Sequence, residues 1–142
     1  MEAPAEERLC GRIQALVHRV ADPESHEFWM VHKELAQPTG LLGEVMAESI
    51  NPIRRDLEAL VREVLGPGAL PDEVRLCQMS IRAQCFDMMI HRLRPPSTTG
   101  REEGVAALPD TAMVAEHIAR FSLAGLRDMR QRIMGRGSIL PT

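Results

Sequence analysis

The stretch Asp72-Glu-Val-Arg-Leu-Cys-Gln-Met-Ser-Ile-Arg-Ala-Gln-Cys-Phe-Asp-Met-Met-Ile-His-Arg-Leu93 decides how the rest of the chain is read. Its apolar residues recur at helical spacing, which predicts one helix over 72–93. They fall into two stripes rather than one. The first reads Val74, Cys77, Ile81, Gln84 and Met88; the second, on another face, reads Leu76, Met79, Ala83, Phe86, Ile90 and Leu93. A surface helix of a monomer needs one apolar stripe, so a helix with two must be covered on both sides. Few elements of a small domain remain to cover the second side, which makes a partner chain the natural candidate.

Upstream, Gly66-Pro67-Gly68 stops a preceding helix. That helix is expected over Thr39–Leu65, where Leu42, Val45, Met46, Ile50, Ile53, Leu57, Leu60, Val61 and Val64 keep one phase. Pro52 lies inside it. A kinked continuous helix and two shorter ones with Asn51-Pro52 as cap and first residue are both allowed, and the unbroken phase favours the kink. Nearer the start, Leu9, Ile13, Leu16, Val17 and Val20 form one stripe over Glu6–Val20, ended by Asp22-Pro23. A short second helix is expected over Ser25–Ala36. Downstream, Arg94–Pro109 reads as a long loop. Asp110 then caps a last helix running to about Met134, with Gly135 and Gly137 beyond it. Its apolar stripe runs through Val114, Ile118, Phe121, Gly125 or Leu126, Met129 and Ile133, and the small residues Ser122, Ala124 and Gly125 would let another helix come close.

Composition agrees with an all-α bundle of about five to six helices. The 142 residues suit one domain with a real core. Only 3% are aromatic, none is tyrosine, and helix formers dominate. A net charge of −3, with acidic residues interleaved among the arginines, argues against nucleic acid as this segment's main partner. No apolar run approaches the ~20 residues of a membrane span, and the polar start lacks the character of a secretory signal, so a cytoplasmic protein is expected. Cys10, Cys77 and Cys85 form no paired motif and read as small hydrophobes.

Motifs for catalysis are wanting. There is no Gly-rich phosphate loop, nucleophile elbow or HExxH. The five histidines, at 18, 26, 32, 91 and 117, show no i, i+4 pairing with one another. Neither an enzyme nor a resident metal or cofactor is expected. A ligand pocket between helices has better support. Ser80 and Gln84 lie one turn apart beside the Cys77 and Met88 stripe, where buried polar groups must bond internally or to something bound. With Met88 they make one candidate wall; Trp29, Met30 and His32 make the opposite one. Nine methionines suit adaptable packing around varied shapes, and equally an ordinary core.

Four blocks, in order, carry a family resemblance: Glu34-Leu-Ala-Gln-Pro-Thr39, Ile50-Asn-Pro-Ile53, Arg75-Leu-Cys-Gln-Met-Ser-Ile-Arg-Ala-Gln-Cys-Phe86 and Ala115-Glu-His-Ile-Ala-Arg-Phe-Ser-Leu-Ala-Gly-Leu126. Together they resemble the C-terminal domain of CecR-like TetR-family regulators. The resemblance implies a regulatory domain whose last two long helices pair with their copies in a homodimer as a four-helix bundle. On that basis Leu76, Met79, Ala83, Phe86, Ile90, Phe121, Ser122 and Gly125 are the expected interface. It also implies a cavity for a small apolar or amphipathic effector, whose binding lowers the operator affinity of attached DNA-reading heads and so relieves repression. Ser80, Gln84 and Cys85 fall on the family block Ser-x-x-Gly-Gln-Cys. Ala83 stands where glycine is usual, Met88 where an aromatic is usual, and Lys33-Glu34 where Arg-Glu is common; these differences bear on the shape of the pocket. The chain is read as a single such domain over 1–142, without the basic helix-turn-helix head, so DNA is expected to be reached only through a domain other than this one. The alternative is a standalone helical module that pairs its exposed stripes with a different protein.

Overall fold

The computed structural model describes residues 2–22, 24, 30, 33, 34, 36–40, 43–93 and 110–139. They form four long helices: α1 (Ala5–Ala21), α2 (Asn51–Leu65), α3 (Pro71–Leu93) and α4 (Thr111–Ile139). No strand occurs among the described residues. The all-α class therefore holds with fewer long helices than the expected five to six. The short helix expected over Ser25–Ala36 lies largely outside the described residues, and so does the loop over Arg94–Pro109.

Local chemistry explains each boundary. Helical backbone runs without a break through Gly43–Val45, a π turn at Met46–Ile50, and α2. Ile50, just before α2, itself has helical dihedrals (φ −93°, ψ −45°). Proline at 52 has no N–H to give the previous turn, and a π turn is a common way for a helix to absorb such a defect. The continuous helix is thus the form adopted over Gly43–Leu65, while Thr39 and Gly40 lie outside helical backbone. Gly66 ends α2 at φ 93° and ψ 173°, backbone that only glycine enters freely, and its N–H caps the carbonyl of Arg62 at 3.0 Å. At the start of α3, Pro71 takes the first helical position and Glu73 reaches back to the N–H of Leu70 at 2.8 Å, half of a capping box. Asp110 caps α4 as expected, its Oδ1 accepting from the N–H of Ala112 at 3.3 Å. The far end of α4 differs. The helix continues through Gly135 and Gly137 to Ile139 instead of stopping near Met134.

The core is built around α1, which packs against all three other helices and most extensively against α4. Its whole expected stripe is buried, with Leu9, Ile13 and Val17 fully enclosed. Such side chains each contribute about 1.5–3 kcal/mol through burial. Leu57, Leu60, Val61, Val64 and Leu65 of α2 complete one side, and Ala115, Ile118, Ala119, Leu126 and Ile133 of α4 the other. On the surface, Arg12–Asp56 and Arg8–Glu63 tie α1 to α2, and Glu6–Arg127 ties it to α4. Exposed pairs of this kind contribute up to about 1 kcal/mol each. The end of α4 is held more closely. Arg136 pairs with Glu73 at 2.6 Å and donates to the carbonyl of Gly68 at 3.1 Å, while Ile133 lies so near Gly68 that a Cβ there would come within 3.1 Å of its Cγ2.

Candidate functional site

Helix α3 is turned so that Val74, Gln78, Ile81, Cys85 and Met88 point into the core. The expected inner stripe named Cys77 and Gln84 in place of Gln78 and Cys85. Both sets repeat at three- and four-residue steps, so periodicity alone cannot separate them. The choice falls to packing: α3 lies chiefly against α1 and α2 and less against α4. That rotation brings Gln78 inside and leaves Cys77 and Gln84 at the edge facing α4.

Between α3 and α4 this edge opens into a groove of ≈ 340 Å³. Leu76, Cys77, Ser80 and Gln84 line it from α3; Phe121, Ser122, Gly125 and Met129 line it from α4. Gln84 also borders a second depression, with Ala83, Asp87, Met88, Val114 and Ile118. Two side-chain polar groups of the first groove bond to each other. Gln84 Nε2 donates to Ser122 Oγ and to the carbonyl of Ser80, each at 3.3 Å. Both are internal hydrogen bonds, and they satisfy the donor side of the Gln84 amide.

The first part of the outer stripe of α3, Leu76, Met79 and Ala83, is uncovered in the single chain. Leu76 is 56% exposed and Met79 47%; Phe121 and Met113 of α4 are 64% and 60% exposed. Ala83 is also at the surface. Phe121 stacks on His117 at 5.9 Å between ring centres, which fixes the ring at the lip of the groove. Of the other residues expected at an interface, Gly125 is exposed, Phe86 is half-buried against the core, and Ser122 is buried within the chain. The side chain of Ile90 lies outside the described residues.

The expected effector wall is only partly assembled. Ser80 and Gln84 face the groove, Met88 is in the core, and Met30 is exposed. Trp29 and His32 lie outside the described residues. Sequence reasoning missed Gln78, which is 3% exposed and whose Oε1 has no hydrogen-bond partner among the described residues. An amide on a buried face was the available signal, and the neighbouring Cys77 concealed it. It also missed the clamp by which Glu34 accepts from the N–H and hydroxyl of Thr39 and the N–H of Gly40, at 2.6–2.8 Å. Glu34 and Thr39 are the two ends of the first block quoted for the resemblance.

The thiols are passive. Burial pushes Cys85 up to about 12; burial and Glu6 raise Cys10, and burial and Glu73 raise Cys77. Among the described residues no three His, Cys, Asp or Glu side chains gather to hold a metal ion, and no helix is long and apolar enough to cross a membrane.

Compared with known proteins, residues 5–126 match the family model described as HTH-type transcriptional dual regulator CecR, C-terminal domain. No curated protein and no solved structure matches the chain.

Proposed function

The chain belongs to the CecR C-terminal domain family of TetR-type transcriptional regulators, and on that premise we propose that it is a homodimeric ligand-sensing domain. Two copies pair through α3 and α4 as a four-helix bundle. A small apolar or amphipathic effector enters the helical core and changes the DNA affinity of a helix-turn-helix head carried outside these residues. Effector and DNA compete through two conformations that each prefers differently, because a ligand with equal affinity for both would shift nothing. Repression relieved by effector in the cytoplasm is the mode of action, and no catalysis is assigned to the domain.

One observation carries the reading: large apolar side chains on α3 and α4, among them Leu76, Met79 and Phe121, are exposed along and beside a shared groove. An exposed apolar patch of this kind marks a surface that a partner covers. A twofold interface needs only one self-complementary patch, which is the simplest way to cover it.

Native mass spectrometry of the purified chain tests both halves of the reading. Species at twice the mass of the 15.8 kDa chain, some carrying a small adduct, are expected at micromolar concentration. Monomer alone would contradict the dimer, and failure of a panel of amphipathic compounds to bind would contradict the sensor.

A further inference from the structure

The turn between Leu65 and Pro71 folds α2 and α3 into neighbours that run in opposite directions. Arg54 and Arg82 each lie about three turns from it, so the two arginines come level with each other across the α2–α3 seam. Both are half-buried. Burial and the nearby charge of Arg54 both lower the pKa of Arg82. Among the described residues neither guanidinium makes a hydrogen bond or an ion pair. Arg8, Arg12, Arg62, Arg127 and Arg136 pair with Asp or Glu, while Arg55, Arg75 and Arg130, which make no such pair among the described residues, stand exposed to water. One turn before Arg82 on the same helix is Gln78, the buried amide whose Oε1 is unpartnered. Two half-buried cations at one level of the hairpin, without a counter-ion among the described residues and one helical turn from an unsatisfied amide, are a costly arrangement for folding alone.

We propose that Arg54, Arg82 and Gln78 form a binding site for a small anion, and that this anion is the carboxylate or phosphate group of the effector. Guanidinium groups present planar forks that match either group through paired N–H donors. Turned about its last bond, the Gln78 amide presents Nε2 where Oε1 now stands and supplies a further donor. Filling the site removes the repulsion between the two arginines and bridges α2 to α3. The identification with the effector rests on the ligand-sensing reading above; the anion site itself does not.

Thermal melts of the chain in inorganic phosphate or benzoate, with benzyl alcohol as the neutral analogue and chloride at matched ionic strength, test the site. A saturable rise of about 3–6 °C is expected at roughly ten times the dissociation constant. Benzyl alcohol should give none, and Arg82→Gln and Arg54→Gln should each abolish the rise while still melting cooperatively. A response to phosphate alone or to benzoate alone identifies which group the site takes. No saturable rise with either anion, or an equal rise in both variants, overturns the proposal. Sedimentation of the same samples separates the two readings. A dimer without an anion response defeats the anion site alone, and an anion-responsive monomer defeats the dimer alone.

Discussion

Gln84 donates from Nε2 to the hydroxyl of Ser122 across 3.3 Å, and this contact joins α3 to α4 within the groove between them. The bond makes Gln84 a structural link between the two helices. Ser122 is buried, so removing the amide leaves its hydroxyl without that bond. Gln84→Leu should therefore cost about 1–2 kcal/mol, read from urea unfolding. Unchanged stability would show that water satisfies Ser122 equally well.

The Glu73–Arg136 pair should give acid unfolding a recognisable component. Hydrogen bonds from Arg136 and then from the N–H of Leu70 hold the Glu73 carboxyl at about 2, against an ordinary 4.5. A folded-state value below the unfolded one stabilises the fold above about pH 4.5, and that stabilisation is lost as pH falls towards 2. In Arg136→Gln the Glu73 titration, followed by carbon NMR of the carboxyl, should move up towards the ordinary value. A midpoint that stays near 2 would mean that Arg136 is not the cause.

Gly66 should tolerate no side chain. At φ 93° and ψ 173° its backbone is accessible almost only to glycine, although open space surrounds its would-be Cβ. Gly66→Ala should lose about 1–3 kcal/mol through strain alone. Gly135 and Gly137 lie within α4 and, like Gly66, have open space around a would-be Cβ. Alanine there should raise stability by up to about 1 kcal/mol each. The opposite ranking in thermal melts would reject this account of the turn and of the helix end.

Cys85 should resist alkylation in the folded protein. With its pKa near 12 and its side chain enclosed, almost no thiolate exists at pH 8. Iodoacetamide followed by peptide mass mapping should label Cys10 and Cys77 first and Cys85 only on unfolding. Labelling of all three at one rate would contradict the burial of Cys85.

Much of this was legible from residue order. The stripe of α1 from Leu9 to Val20 is buried as expected, because a helix with a single apolar face leaves no choice of orientation. The caps at Asp110 and Gly66 follow from residue chemistry. The end of α4 was misplaced because Gly135 and Gly137 carry stop signals that docking overrides: Arg136 and Ile133 fasten that turn to Gly68 and Glu73. Helix α3 was harder, because two apolar faces make its rotation a matter of which neighbours win. Gln78 and Cys85 could not be told from Cys77 and Gln84 by spacing. The placement of Arg54 level with Arg82 depends on the α2–α3 hairpin, which residue order alone does not reveal.

Sedimentation velocity on the wild-type chain beside Leu76→Glu and Phe121→Glu tests the central claim of a dimer through α3 and α4 most directly. Both positions are exposed in the single chain, so a charge there leaves the monomer folded, whereas at half-buried Phe86 it would also disturb the core. The account predicts a wild-type species of about twice 15.8 kDa and monomers for both variants, with helical circular dichroism unchanged. A wild-type monomer at micromolar concentration, or variants that remain dimeric, would contradict it.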